Sequence, residues 1–417
     1  MSIPNQPKSN QFASNIPKYF LYTALKGFSF GLIAAMWVIF LTQHRGLSLA
    51  QASLVDVTFF VAAAFGEVPT GIVADTWGRK TSLTAGTALM SIGILGWTFA
   101  PTLPLIMLSY LGMGIGYTFL SGAEDALFYE SVQLAGRAED YTRLVGRAGA
   151  AVMGALALGS VASGLLASIN LILPMLVCGL SLLVMLGVVL TFKEPQTEER
   201  SDGQPRKSFG AILRQSFILM RARPTLLYPM IYLALVPLAA FITETLFLQP
   251  QALALGVPLA GIGVLVMAVQ LTNMVGSNWS ERITARFGEG RIIYAVPLLI
   301  LASLILLAAF QKLPILVLIA VIGFFTSVIR PSLLNRIQNE VTDDVRATII
   351  SMQSLMFTVV SAISQPTLGF VADQSGFPAA YIVFAGSLGI LILFLFWKSH
   401  HDLLPEIVKS DPSEAEA

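Results

Sequence analysis

Charged residues are scarce in this chain of 417 residues. Asp, Glu, Lys and Arg make up 12% of it, against about 25% in an ordinary soluble domain, whereas 55% of the residues are hydrophobic. A soluble fold of this length needs a large polar surface, and this composition does not supply one. The composition therefore excludes a soluble globular protein and indicates one that lies in a membrane.

Cysteine and histidine are nearly missing as well. The chain has one cysteine, Cys178, and three histidines that all lie outside the apolar runs. This scarcity excludes a disulfide framework and a Cys or His metal site, so we expect no metal and no cofactor. A net charge of +1 without a basic arm argues against a nucleic-acid partner. Without a phosphate-binding loop of the Gly-Lys-Ser/Thr type, neither a primary pump nor an enzyme is expected.

Long apolar runs are what the chain has in abundance. A run of about 20 residues is enough to cross the hydrocarbon of a bilayer as a helix. The sequence therefore predicts an all-α integral membrane protein with twelve transmembrane helices, numbered here as spans 1 to 12. They are 18–42, 50–74, 81–100, 104–131, 141–168, 170–192, 225–249, 257–283, 290–310, 313–338, 346–371 and 378–398.

Basic residues predict the orientation of these spans. With twelve spans both termini lie on one side, and the loops of that side carry most of the Lys and Arg residues. The opposite loops carry Arg45 and Lys312. Since cytoplasmic loops hold the excess of positive charge, we expect both termini to be cytoplasmic.

The chain divides near its middle. The longest polar stretch between spans starts at 193 and separates six spans from six. We predict an N-terminal six-helix bundle (1–192), a cytoplasmic linker (193–223), a C-terminal six-helix bundle (224–398) and a polar cytoplasmic tail (399–417). The linker is either an amphipathic surface helix or a plain basic connection. Two such halves with a binding site between them are an arrangement of secondary transporters.

The turn between spans 2 and 3 carries the most specific motif. The sequence "GIVADTWGRKTSL" resembles the signature of the major facilitator superfamily: Gly, three residues, Asp, two residues, then Gly-Arg-Lys/Arg. The matching residues are Gly71, Asp75, Gly78, Arg79 and Lys80. The resemblance implies the major facilitator fold, with two six-helix pseudo-repeats, and a gating contact at this turn. The expected partners of this gating contact are Glu130, Arg143 and Arg147. The alternative is that Arg79 and Lys80 only anchor the helices at the cytoplasmic surface.

An eroded copy of this motif lies in the second half. In "SERITARFGEGRII" (280–293), Gly288 stands 210 positions after Gly78, and Ala285 occupies the place of Asp75. The motifs "EVPTG" and "SGAEDALFYESVQLAGR" also resemble a bacterial efflux-type group of facilitators. Two departures weaken the implied proton antiport. Span 5 reads "GSVASG" where antiporters have Gly-Pro-x-x-Gly-Gly, and Tyr110 occupies the place of the span 4 arginine.

Ionisable residues inside the spans are the other candidates, because charge in hydrocarbon is costly and marks function. In the family, spans 1, 4, 7 and 10 line the central cavity. The candidates for a substrate or proton pathway are Lys26, Asp56, Glu67, Glu124, Asp125, Glu244 and Arg330. Several of these residues have an alternative, purely structural role. Lys26 can pair with Glu124 or Asp125, Glu67 can pair with Arg147, and Asp56 and Glu244 can be wetted at the periplasmic mouth.

These observations together predict a secondary active transporter of the bacterial inner membrane. We expect a monomer that moves a small organic or amphipathic compound by alternating access, as proton-coupled export. The alternatives are a uniporter or a proton symporter of a metabolite and, in a different class, a transporter-like membrane sensor or scaffold.

Overall fold

The structure, a computed structural model, describes residues 12–195, 227–340 and 343–402, and all of its regular elements are helical. The predicted amphipathic helix of the linker and most of the predicted tail lie outside the described residues. The helices are α1 (Asn15–Ile39), α2 (Leu49–Trp77), α3 (Arg79–Phe99), α4 (Leu103–Leu120), α5 (Ala123–Leu134), α6 (Tyr141–Ile169), α7 (Leu173–Leu190), α8 (Leu227–Ile242), α9 (Leu248–Ala254), α10 (Leu259–Phe287), α11 (Glu289–Ala309), α12 (Val317–Glu340) and α13 (Asp343–Asp402).

The described residues contain eleven helical segments that are long and apolar enough to cross a membrane. The last segment holds two spans, because α13 breaks at Gly376, whose φ of 80° and ψ of 170° are not helical. A left-handed φ is tolerated there because glycine has no Cβ. The prediction of an all-helical membrane protein with twelve spans is therefore confirmed.

Three predicted spans are continuous in sequence but not in geometry. Span 4 divides into α4 and α5 at Ser121 and Gly122, where Gly122 has a φ of 73°. Spans 1 and 7 each contain a π-helical turn, at Phe40–His44 and Thr243–Phe247. Single π turns inside α-helices occur often at functional positions. Apolar run length predicts neither kind of break.

The described chain forms two compact units. Unit 1 contains Leu54–Phe209 and the chain up to Arg45, together with Leu259–Met267 from the start of α10. Unit 2 contains Gly210–Pro258 and the chain from Ala268 onward, together with Gly46–Ser53 around the start of α2. The predicted domain limits, 1–192 and 224–398, stay predictions, because each unit also takes in one short segment from the other part of the sequence.

Close packing of α1 on α6 holds unit 1 together. A Cβ added at Gly27, Gly31 or Gly159 would collide with backbone atoms of the facing helix. The hydroxyl of Ser163 donates to the carbonyl of Leu32 across the same contact, at 2.7 Å. Small residues let helix backbones approach closely in a membrane, where van der Waals packing replaces the hydrophobic effect as the driving force.

The glycines of α6 are not equivalent. Gly159 lies against the carbonyl of Phe28, and a Cβ on Gly164 would lie 2.8 Å from the carbonyl of Leu259. Gly154 has nothing within 4 Å of its Cβ position. Close packing at the degenerate "GSVASG" motif therefore depends on Gly159 and Gly164, and Gly154 takes no part in it.

Unit 2 repeats this mode of packing with different residues. A Cβ on Gly276 of α10 would lie 2.6 Å from the carbonyl of Phe324 in α12. The buried hydroxyl of Ser280, one turn further along α10, donates to the carbonyl of Val328 at 2.6 Å. Glycine and serine at helical spacing therefore bring α10 and α12 together, as they do α1 and α6.

We predict that Gly159→Ala lowers the free energy of unfolding by about 1–3 kcal/mol, because the added methyl overlaps the backbone of α1. The matched control is Gly154→Ala. It adds the same methyl to the same helix in open space and should be neutral or stabilising by up to about 1 kcal/mol. Thermal unfolding of the purified protein in detergent measures both. Equal melting temperatures for the two variants would contradict the packing argument.

Candidate functional site

The turn between α2 and α3 brings together three of the motif residues. Gly78 adopts a φ of 103° and a ψ of 157°, which permits the sharp reversal of the chain. Beside it, an Nη of Arg79 lies 2.6 Å from a carboxylate oxygen of Asp75. The Nε of the same guanidinium lies 3.7 Å from the carboxylate of Glu130 in α5. Arg79 therefore links α2, α3 and α5.

An acid that the sequence analysis missed completes this turn. The carboxylate of Glu194 accepts hydrogen bonds from the backbone N–H groups of Arg79 and Lys80, at 2.8 and 2.7 Å. It thus satisfies two of the four unpaired N–H groups at the start of α3 and faces the positive end of the helix dipole. The available signal was the position of Glu194, directly after span 6 on the same predicted side as the motif.

Two other expected partners lie apart from the turn. Arg143 and Arg147 of α6 are exposed, and within the described residues neither forms an ion pair with the motif acids. Glu67 is also exposed, and it does not pair with Arg147. Among the acids and bases that the structure describes, the turn therefore gathers Asp75, Arg79, Glu130 and Glu194.

The clearest buried ion pair joins α1 to α5. The Nζ of Lys26 lies 2.5 and 2.7 Å from the two carboxylate oxygens of Glu124. The hydroxyl of Tyr22, one turn earlier in α1 and fully buried, donates to the same carboxylate at 2.8 Å. The side chains of the pair are 17% and 15% exposed. The sequence allowed either Glu124 or Asp125 as the partner of Lys26, and in the structure the partner is Glu124.

The break in span 4 explains the position of this acid. Because α5 begins at Ala123, Glu124 and Asp125 stand in the first turn of a new helix. A carboxylate there is stabilised by the N-terminal end of the helix dipole. Asp125 is exposed, and the hydroxyl of Tyr19 lies 3.4 Å from it. The break thus places Glu124 beside Lys26 and leaves Asp125 exposed.

Asp56 belongs to α2 and faces α4. It is 7% exposed, and the hydroxyl of Tyr110 lies 3.5 Å from its carboxylate. Tyr110 occupies the place where the family signature of span 4 has an arginine. The substitution exchanges a cation for a neutral hydroxyl group opposite a buried acid. Arg330 of α12, the remaining cationic candidate, is exposed.

Glu244 lies in the π-helical turn of unit 2, where α8, α10 and α12 meet. The side-chain N–H₂ of Asn273 donates to both carboxylate oxygens, at 3.1 and 3.0 Å. A Cβ on Gly323 would overlap both of these side chains. Glycine at 323 therefore makes the room in which the acid and the amide meet. Within the described residues, the partner of Glu244 is neutral and no cation lies within 4.0 Å of it.

No group of three or more His, Cys, Asp or Glu side chains among the described residues is placed to hold a metal ion. What the arrangement offers is a set of acids in different surroundings. Glu124 is paired with a cation, Glu194 lies at a helix start, Asp56 lies beside the hydroxyl of Tyr110, and Glu244 accepts from the neutral amide of Asn273.

We predict that Lys26→Met is destabilising by about 3 kcal/mol, because it leaves the carboxylate of Glu124 largely buried without its cation. The double change Lys26→Met with Glu124→Gln should recover most of this loss, since no net charge then remains at the site. Lys26→Met with Asp125→Asn is the matched control and should recover little. Thermal unfolding in detergent measures all three, and rescue by the Asp125 change would contradict the pairing.

We also predict that Glu194→Ala costs about 1 kcal/mol, the usual loss when a helix start loses its capping acceptor. The matched control is Glu139→Ala, which removes an exposed acid from the same predicted side of the membrane. Melting temperatures of the two variants provide the comparison. If both variants melt together with the unmodified protein, Glu194 does not support the turn.

Comparison with known proteins agrees with this fold. The model of the Major Facilitator Superfamily matches residues 19–364 and 235–413. YxaM of Bacillus subtilis (strain 168), an uncharacterized MFS-type transporter, is 24% identical over 416 residues, which cover 94% of this chain and 96% of YxaM.

Two solved transporters share the fold at low sequence identity. The crystal structure of a mutant of the nucleoside transporter NupG has a TM-score of 0.77 at 15% identity, covering 91% of this chain and 98% of that one. The crystal structure of a D-xylose-proton symporter has a TM-score of 0.69 at 14% identity, covering 92% and 97%. At these identities the likeness concerns the fold alone. Since the family model matches most of its length, the chain belongs to the major facilitator superfamily and is a multi-pass membrane transporter.

Proposed function

We propose that the protein is a proton-coupled exporter of a small organic or amphipathic compound. It acts as a monomer in the bacterial inner membrane, with both termini in the cytoplasm, and moves its substrate by alternating access. The resemblance to efflux-type facilitators supports export. The observation that carries proton coupling is Glu244, an acid within a membrane span whose described partner is the neutral amide of Asn273.

Glu124 and Glu244 differ in the interactions that each would lose on protonation. Protonating Glu124 would break its ion pair with Lys26, whose Nζ contacts both oxygens. Protonating Glu244 breaks no ion pair within the described residues, because its partner Asn273 is neutral. The amide of Asn273 can also rotate and accept a hydrogen bond from the protonated acid. An acid that changes charge at low cost suits a carrier that must pick up and release a proton in each cycle. Asp56, beside Tyr110, is the second candidate.

The turn between α2 and α3 supports the alternating-access part of the proposal. The ion pairs of Arg79 with Asp75 and Glu130 are short-range contacts at the predicted cytoplasmic ends of three helices. Such contacts can form in one state and break in the other, which gives a transporter two discrete arrangements. In this proposal, Gly71, Gly78 and Lys80 shape and anchor the turn. Arg143 and Arg147, which lie apart from it in this structure, are its partners in the other state.

A second candidate function is proton symport or uniport of a metabolite. It is favoured by the fold neighbours, which include a nucleoside transporter and a D-xylose-proton symporter. A thermal-shift screen of the purified protein against nucleosides, pentoses and amphipathic cations separates the substrate classes. A compound at 100 times its dissociation constant should stabilise the protein by about 2.7 kcal/mol.

Coupling is tested in inverted membrane vesicles that are energised to an acidic interior and report their pH through acridine orange. Addition of the compound found in the screen should release protons through the unmodified protein. Glu244→Gln should abolish this release while it still binds the compound and still exchanges it down its gradient. Glu281→Gln, which neutralises an exposed acid of α10, is the matched control and should behave as the unmodified protein.

Two results would contradict the proposal. Proton release by Glu244→Gln equal to that of the unmodified protein would exclude Glu244 as the carrier. If the unmodified protein transports the compound but releases no protons, proton coupling is excluded, and transport only down the compound's own gradient would then favour uniport.

A further inference from the structure

The segment from Gly369 to Gly376 in α13 repeats the motif between α2 and α3. It reads "GFVADQSG", against "GIVADTWG" from Gly71 to Gly78, with five of eight residues identical. The last glycine of each has a left-handed φ, 103° at Gly78 and 80° at Gly376. The repeat therefore keeps the glycine, the acid and the final turn, in sequence and in geometry, but not the Arg-Lys pair.

The acid of the repeat contacts the start of α2. The carboxylate of Asp373 accepts hydrogen bonds from the backbone N–H groups of Leu49 and Ala50, both at 2.9 Å. One turn earlier in α13, a Cβ on Gly369 would lie 3.0 Å from the backbone of Ala50. The glycine thus allows the two helices to meet, and the acid makes the polar contact. All of these residues belong to unit 2.

The rest of this helix start is satisfied locally. Ser48 and Gln51 form a capping box, in which the N–H of Ser48 donates to the side chain of Gln51 and the N–H of Gln51 donates to the hydroxyl of Ser48, at 3.0 and 3.2 Å. Asp373 supplies the acceptors for the two N–H groups between them. Four unpaired N–H groups at a helix start are usually satisfied by nearby side chains or water. Here two of them depend on a residue 324 positions away in the chain.

This contact is suited to breaking and reforming. Asp373 is exposed, and no cation lies within 4.0 Å of it among the described side chains. Its charge is therefore balanced by the two N–H groups and the helix dipole, an interaction of moderate strength. Because the capping box remains when Asp373 withdraws, α2 can keep its start while water takes over the two freed N–H groups.

We propose that Asp373 and Gly369 form a second latch, at the opposite end of α2 from the turn at Gly78. The helix has 29 residues, so the two ends lie about 43 Å apart. On the predicted orientation, this latch joins α13 to α2 at the periplasmic ends of the spans. It is made in the state described here and released when that end of the transporter opens. The inference rests on alternating access in the proposed function, but on neither proton coupling nor the direction of transport.

The test measures the distance between α2 and α13 directly, without substrate and without a pH gradient. Cys178→Ser first removes the single cysteine. Cysteines at Leu54 and Phe370, which are 40% and 58% exposed, then carry nitroxide labels for pulsed electron paramagnetic resonance. Asp373→Asn removes the charge at nearly constant shape. It should raise the ratio of long-distance to short-distance populations roughly three- to tenfold.

Two further variants identify the cause. Gly369→Ala leaves the charge in place but inserts a methyl between the helices, so it should also increase the long-distance population. Gly369→Ala can therefore replace Asp373→Asn in the test if the Asp373 variant is poorly expressed. Ser48→Ala is the matched control, because it removes the capping box without touching the Asp373 carboxylate, and it should leave the distances unchanged.

The proposal is overturned if Asp373→Asn and Gly369→Ala both give the distances of the parent. It is equally overturned if Ser48→Ala lengthens them as much as Asp373→Asn does, since fraying of the helix start would then explain the change. A failure of this kind leaves the coupling role of Glu244 untouched, and a failure of the vesicle experiment leaves this latch untouched.

Discussion

Hydrocarbon supplies no hydrogen bonds, and the structure follows from that constraint. A helix satisfies its own backbone groups along its length, but not at its start, where four N–H groups lack partners. Every charge placed within a span likewise needs a partner of its own. The scarcity of charge in this chain means that few side chains are available for these tasks. Glu124, Glu194 and Asp373 lie at or face helix starts, whereas Asp56 and Glu244 lie within spans.

The same constraint explains how far the sequence alone could lead. Apolar runs report directly on burial in lipid, so they predicted the number of spans and most of their limits. Span 5, predicted at 141–168, is the helix Tyr141–Ile169. The motif at Gly71 to Lys80 was found because it is local in sequence. Apolar run length could not show the breaks inside spans, at Gly122 and in the π-helical turns, because a few polar residues or a glycine within an apolar run do not by themselves mark a change of helix geometry.

The sequence also could not predict contacts between residues that are far apart in the chain. Glu194 follows span 6 in a stretch that reads as a polar linker, and it contacts α3 only because the fold returns the chain to that turn. The choice of Glu124 over Asp125 likewise depends on where α5 begins. Adjacent residues on a helix point about 100° apart, so a shift of one residue in the start of α5 would exchange their roles. Sequence reasoning narrowed the site to these two acids, and the backbone break separates them.

Helix α2 shows how one chemical arrangement can serve at both ends of a span. At its final turn, Asp75 is held by Arg79, and the acid of Glu194 faces the start of the next helix. At its first turn, the acid of Asp373 faces the start of α2 itself. In α13, Gly369 lies one turn before the acid and lets the backbone of Ala50 approach, and in both segments a left-handed glycine after the acid ends the helix. Carboxylates at helix starts bind through charge and dipole without requiring a second buried charge. They can therefore form and break a contact at a membrane surface without leaving an unpaired cation in hydrocarbon, which a buried pair such as Lys26 and Glu124 cannot do.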